Sequence, residues 1–216
     1  MLALYGHPFS SYTWKAQIAL YANETPFDFR VVDADHPEHV AVVQHAGPLS
    51  KFPVLEDQGN LIFESTSIIE YLARHYPGAH ELVPADPDAA IAMRMIDRVF
   101  DNYVMNVMQG VVDEYIDNPQ APDARRCEQV RERLRRTYHW VDAWLEYYPV
   151  STHITLIECA AAPSLFYADW VEPISDDLAR LKRWRAHLLA LPPVARCVED
   201  ARPFRAWFPP GAPDRD

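Results

Sequence analysis

The chain has 216 residues, 49% hydrophobic and 24% charged, which is the balance of a folded globular protein with room for one large domain or two small ones. Its formal net charge of −11 repels phosphate backbones and argues against nucleic-acid partners. The start MLALYGHPF lacks the basic opening of a secretion signal, and no apolar run reaches the length of a membrane span. Three scattered cysteines (Cys127, Cys159, Cys197), with no C-x-x-C pair, suit a reducing cytoplasm and exclude a dithiol redox centre.

In chain order, residues 2 to 5 predict a short strand with Leu2 and Leu4 on one face. From about Tyr12 to Ala22 the period turns helical, with Trp14, Ile18 and Tyr21 aligned and Asn23 as the stop. In PFDFRVV, Phe27, Phe29 and Val31 alternate with Asp28 and Arg30, the pattern of a half-buried strand. Strand, helix and strand in that order predict a parallel pair with a crossover. Residues 33 to 50 are polar, with room for one short helix. KFPVLED and NLIFES then flank Asp57-Gln58-Gly59-Asn60, a hairpin signal, and a helix follows from about Ser65 to Tyr76 with Ile68, Ile69 and Leu72 as its buried stripe.

Pro77, Gly78, Pro84 and Pro87 mark a linker. Beyond it the pattern is helical. One long helix is predicted from about Asp88 to Asp117 and another from about Asp123 to Tyr147. A third starts near Thr155, a fourth near Ser175, and Pro192-Pro193 opens a short last one before an extended tail.

Four short stretches carry candidate chemistry. In FSSYTW, Ser10 and Ser11 stand where a strand ends and a helix begins. A helix N-terminus stabilises a thiolate, and a serine hydroxyl there can add a hydrogen bond to sulfur; capping of the helix explains a serine equally well. In LSKFPVLED, a cis Phe52–Pro53 bond would turn the chain and leave Val54 with free backbone groups at a sheet edge, where an extended peptide could pair. In FESTSIIEYL, Ser65 and the free N–H groups of a helix start suit a carboxylate, and Glu64 suits an ammonium. Together they would receive an α-amino-acid head group. Thr155-Leu-Ile-Glu158 reads as a capping box with a structural role.

In this order and spacing, the four pieces resemble the cytosolic glutathione S-transferases over essentially the whole chain. SSYTWKAQIAL is most similar to the serine motif of the zeta type, and the first serine is placed as in theta and delta types. The resemblance implies an α/β thioredoxin-like N-terminal domain with a mixed four-stranded sheet over residues 1–77, a linker over 78–87, and an all-α substrate-binding domain over 88–216. It implies glutathione as co-substrate and a small hydrophobic electrophile as second partner. It also implies a cytoplasmic homodimer with its interface near the helices beginning around residues 65 and 88, and no metal.

Residue by residue, it implies Ser10 at the glutathione sulfur, with Ser11 as the fallback. It makes Pro53 the cis-proline, with Phe52 beside it, and Val54 the residue whose backbone pairs with the cysteinyl part. Glu64 and Ser65 would hold the γ-glutamyl end, and Lys51 would lie near the glycyl carboxylate. There are departures. Tyr12 occupies the zeta-type cysteine position, Ser50 stands where glycine is common, and Glu158 replaces an aspartate. The function implied is activation of glutathione as a thiolate. Isomerisation or dehalogenation with the same thiolate stays open, as does a fold-sharing interaction protein without transferase chemistry. A glutaredoxin-type reductase needs a cysteine near position 10, and none is present.

His36, His39 and His45 share a polar connector without the fixed spacing of a ligand set, and are read as solvated, or as one contact to the glycyl end. The arginines of RRCEQVRERLRR are read as paired along their helix with Glu128 and Glu132. Met93, Met95, Met105 and Met108 are read as mostly core, with one or two lining a pocket, and His7, Phe9 and Tyr12 as pocket walls beside the serines.

Overall fold

The computed structural model describes residues 1–216. The first half runs Leu2–Gly6 (β1), Ser11–Ala22 (α1), Phe27–Val31 (β2), Pro37–Ala46 (α2), Val54–Asp57 (β3), Asn60–Phe63 (β4) and Ser65–His75 (α3). The sheet order is β2-β1-β3-β4. β1 pairs parallel with β2, the other contacts are antiparallel, and the predicted mixed sheet of four strands is present. The expected hairpin turn has φ of 51° at Gln58 and 85° at Gly59, the positive pair that a tight turn matching strand twist requires.

β1 is buried along its length because both faces of the sheet are covered. Leu2 and Leu4 point into the main core with α1 and α3. Ala3 and Tyr5 point the other way, against Val43 of α2. The connector of residues 33–50 thus supplies the short helix that closes the second face.

The second half is helical: Pro87–Val99 (α4), Asn106–Asp117 (α5), Ala124–Trp144 (α6), Leu156–Val171 (α7), Ala179–Ala190 (α8) and Pro192–Ala201 (α9). The single helix expected from 88 to 117 is helical throughout, but a π-helical segment at Phe100–Met105 separates α4 from α5. The helix expected near Ser175 begins four residues later, after a turn in which Leu178 N–H donates to the Ser175 carbonyl at 3.1 Å. The tail is not simply extended, because Arg202–Trp207 forms a 3-10 turn packed back on the first half. The arginines of α6 meet the expectation in part. Arg135 pairs along the helix with Glu128, two turns away, but also reaches Glu172 beyond α7, and Arg126 pairs with Glu114 of α5, so the arginines tie helices together as well.

α7 is buried on every side, as an all-round apolar helix must be. Its capping box is formed. Glu158 accepts from the Thr155 N–H at 2.9 Å, and the Thr155 hydroxyl accepts from Ile157 N–H at 3.1 Å. α7 packs on α1, where Trp14 meets Phe166 at 4.9 Å between ring centroids, so the two halves share one continuous core. No helix is long and apolar enough to cross a membrane.

One glycine positions the site. A Cβ on Gly6 would stand 2.5 Å from Thr13 Cγ2, so the end of β1 lies directly against the first turn of α1. Gly6→Ala is expected to push that turn away and destabilise the fold by about 1–3 kcal/mol in urea denaturation. Unchanged stability would mean that β1 and α1 are not this close.

Candidate functional site

Residues 7–10 form a tight turn between β1 and α1. Ser10 N–H donates to the His7 carbonyl at 3.0 Å, Trp14 Nε1–H to the Pro8 carbonyl at 2.6 Å, and the Tyr167 hydroxyl to the Phe9 carbonyl at 2.9 Å. The turn is therefore fixed from α1 and from α7. Ser10 is the N-cap of α1, its Oγ accepting from Thr13 N–H at 3.3 Å, and Ser11 is the first residue of the helix. A hydroxyl that accepts a capping bond still owns a proton to donate. Capping and sulfur binding are thus compatible roles for the same oxygen.

Beside the turn lies a polar cleft of about 280 Å³. Lys51, Phe52, Pro53, Glu64 and Ser65 line it together, so the structure unites these residues from two separate stretches. The Phe52–Pro53 bond is cis. Glu64 sits at φ 67°, a left-handed conformation that costs a side-chain-bearing residue of order 1–3 kcal/mol and recurs at ligand sites. It precedes α3 without a side-chain cap, so the N–H groups of the first turn remain available to an anion. Ser50, at φ 52°, shows why a glycine is at home in its position.

The cleft also takes Arg98 and Asp101 from the helical half. Both belong to a buried charge cluster that no periodicity announced. Lys15 of α1 is 1% exposed, and its Nζ lies 2.5 Å from Asp97 Oδ1, 2.8 Å from Asp101 Oδ1 and 2.9 Å from the Thr66 hydroxyl. Arg98 Nη2 reaches Asp101 Oδ2 at 2.7 Å and also contacts Asp97 and Thr66. Two cations face two carboxylates, so the cluster is neutral overall. Burial is nonetheless the largest influence on Asp101 and raises its carboxyl above the usual range, with Lys15 opposing it.

The second cavity, about 440 Å³, is mostly apolar. Ser10 and Ser11 face it with Phe9, Met108, Val112 and Phe208. Tyr12 and Phe52 line both cavities and form the wall between them. Burial, then the nearby Asp101 charge, pushes the Tyr12 phenol far up, and its hydroxyl donates to Asn106 Oδ1 at 2.9 Å. Tyr12 is therefore a neutral partition rather than a proton donor in reserve.

One sequence expectation fails. Val54 offers no sheet edge. β3 is an inner strand, and Val54 is fully buried between Tyr5 of β1 and Phe63 of β4. It lines neither cavity, while Phe52, just before the cis bond, lines both. The histidines of the connector are engaged locally. His36 Nδ1 lies 2.7 Å from Asp33 Oδ1, and its ring stacks on His39. Of the methionines, Met105 and Met108 are buried, Met95 is exposed, and Met108 lines the apolar cavity. Asn102, Asn106, Trp207 and Phe208 also reach the cavities, and nothing in their local sequence marked them.

Residues 4–80 match the family described as glutathione S-transferase, N-terminal domain. "Probable maleylacetoacetate isomerase 2" of Drosophila melanogaster is 22% identical, over 98% of this chain and 89% of that protein. "Glutathione S-transferase 1" of Triticum aestivum is 27% identical, over 89% of this chain and 91% of its own. Among solved structures, a glutathione S-transferase of Methylobacillus flagellatus with bound GSH superposes with a TM-score of 0.77 at 24% identity, covering 91% of this chain and 98% of that one.

The buried cluster yields a direct test. Lys15→Met leaves Asp97 and Asp101 with only the half-exposed Arg98 as counter-charge, and the variant is expected to lose about 3–5 kcal/mol of stability in urea denaturation. A loss below about 1 kcal/mol would show that the ammonium is not what balances these carboxylates.

Proposed function

Because the chain belongs to the glutathione S-transferase family, we propose that it is a glutathione transferase of the serine type, in which Ser10 holds the sulfur of glutathione as a thiolate for attack on a small apolar electrophile. The observation that carries this reading is the meeting of two unlike cavities at Tyr12 and Phe52. The polar one ends on the uncapped start of α3, and the apolar one contains both serines.

The polar cleft offers two cations, Lys51 and Arg98, and two carboxylates, Glu64 and Asp101. Glutathione carries two carboxylates and one ammonium, and matches that mixture. In this reading the γ-glutamyl carboxylate lies on the first turn of α3 and the Ser65 hydroxyl, with its ammonium towards Glu64. Lys51 faces the glycyl carboxylate. The backbone of Phe52, rather than Val54, accompanies the cysteinyl part along the cis bend. The sulfur then stands at the start of α1, where the helix dipole and the Ser10 proton favour the charged form. A lowered thiol pKa gives more nucleophile at neutral pH. Attack forms a carbon–sulfur bond and expels a leaving group or gives an adduct.

The isomerase named among the relatives favours a second reading, in which the same thiolate adds and departs reversibly. Tyr12, standing where the zeta type has cysteine, weighs against it. An adaptor without chemistry has no use for a receptor of mixed charge.

The remaining proposals follow from the same family. The chain divides into units 1–77 and 88–216 joined by 78–87, acts in the cytoplasm in detoxification, and pairs as a homodimer. Ile91 and Met95, 63% and 58% exposed, lie one turn apart on α4 and form an apolar patch suited to a second copy.

Ser10→Ala is expected to lower kcat/KM for conjugation roughly tenfold to a hundredfold, as for loss of a hydrogen bond to a charged atom, and to cost about 1 kcal/mol of stability from the lost cap. Ser10→Asp restores a capping oxygen without a hydroxyl proton, and should recover stability but not turnover. Ser11→Ala should lower turnover less than Ser10→Ala; the reverse order would move the sulfur contact to Ser11.

Met95→Asp is expected to shift the chain from dimer to monomer in light scattering. A Met95→Asp protein that stays dimeric would place the interface elsewhere.

A further inference from the structure

The apolar cavity contains an imidazole that the transfer chemistry leaves unused. His7 closes the wall behind the serines. Its ring is held in place. Nδ1 accepts the Phe9 backbone N–H at 3.1 Å, Phe204 meets it edge-on at 4.7 Å between centroids, and Trp207 stacks on it at 5.6 Å with 28° between planes. Because Nδ1 accepts a hydrogen bond, the proton of the neutral ring sits on Nε2. Burial lowers the pKa of this imidazole, which keeps it neutral. Nε2 makes no hydrogen bond within the protein and is not among the buried unsatisfied atoms, so it is accessible.

Most other donors around the cavity are committed, the Trp207 indole N–H and the second Gln109 amide N–H excepted. The Tyr12 hydroxyl donates to Asn106, the Tyr167 hydroxyl to the Phe9 carbonyl, and the Gln109 amide to Asp113 at 2.8 Å. Ser10 and Ser11 stand at the sulfur. His7 Nε2–H is therefore an unpartnered donor on a ring held in place, at the wall of the cavity that would take the electrophile. The lid above it is fixed. Trp207 and Phe208 come from a tail fastened by Asp216 to Arg202 at 3.0 Å and to Arg205 at 2.5 Å, and by Arg215 to Asp169 at 2.5 Å.

We propose that His7 Nε2–H donates to a carbonyl oxygen of the electrophile, and that this residue sets the preference of the pocket for conjugated unsaturated carbonyl compounds over halides. The inference rests on the glutathione-thiolate reading given above. The thiolate lone pair forms the new bond to the β-carbon, the alkene pair becomes the enolate double bond, and the carbonyl pair moves onto oxygen. The hydrogen bond from Nε2 strengthens as that oxygen gains charge, which lowers the barrier. Water then protonates the α-carbon, and the hydroxide left takes up the proton that the thiol released. No oxidant or reductant is needed. A halide substitution places no charge on such an oxygen and gains nothing from the donor.

The test compares 4-phenyl-3-buten-2-one with benzyl chloride. His7→Phe keeps an aromatic ring against Trp207 and removes the donor, whereas His7→Gln retains an N–H at similar reach. The ratio of kcat/KM for the enone to that for the chloride should fall at least tenfold in His7→Phe, roughly the effect of one lost transition-state hydrogen bond, and recover in His7→Gln. An unchanged ratio in His7→Phe overturns the proposal. So does a wild-type protein that turns over benzyl chloride and is inert towards the enone. Glutathione binding and thiolate absorbance in the wild type are measured separately; their absence would reject the transferase reading itself, and the His7 proposal with it.

Discussion

The ammonium of Lys15 is the contact on which the site geometry depends. It sits between α1, α3 and α4, hydrogen-bonded to Asp101 and Thr66 and ion-paired with Asp97, with almost no exposure to water. A buried cation is tolerable only when its counter-charges are fixed around it. The consequence is that three helices are held in one arrangement from the inside. α1 carries the serines at its start, α3 carries Ser65 next to Thr66, and Asp101 forms part of the wall of the polar cleft. Rotating any of these helices would separate Lys15 from a carboxylate it cannot replace. The proposed receptor and the proposed thiol-activating helix end are thus positioned by one electrostatic constraint, while Trp14 packs on α7 within the shared hydrophobic core.

The π segment after α4 belongs to the same constraint. A π turn widens the helix and shifts successive residues around its axis, and such segments often occur at functional sites. Here Asp101 turns inward to Lys15 while also lining the cleft, and its neighbour Asn102 lines the cleft as well. Further along, Asn106 takes the Tyr12 hydroxyl. The irregular helix gives polar side chains to the first half at the level where the two cavities divide, and the regular α5 beyond it supplies Met108 and Val112 to the apolar side.

What could be read from the sequence depended on how local its cause was. The Gln58-Gly59 turn, the Thr155–Glu158 box and the alternation in β1 are decided by residues a few positions apart, and they appear as expected. The two serines and the Glu64-Ser65 pair were visible because a strand-to-helix junction needs capping residues whatever else it does. The error over Val54 arose because strand order is a tertiary property: nothing within KFPVLED says that β1 and β4 occupy both its sides. The π segment was hidden because its residues have ordinary helical periodicity. Nothing in the local sequence of Lys15 or Asp97 marks either residue, and only their separation of 82 residues in sequence and 2.5 Å in space identifies them as a pair. His7 and Trp207 were separated still further.

Capping and the proposed sulfur contact are compatible at Ser10, as a count of what a hydroxyl can do shows. Its oxygen has two lone pairs and one proton. The Thr13 N–H occupies one lone pair and closes the first turn of α1. The proton remains, and the turn around it is fixed by Trp14 and Tyr167, one from each half of the molecule. A capping serine in a loose turn would lend its proton to water. In this fixed turn the capping bond holds the Oγ itself beside the helix end that favours negative charge. The capping role is therefore a support for the proposed contact to sulfur and not a competitor to it.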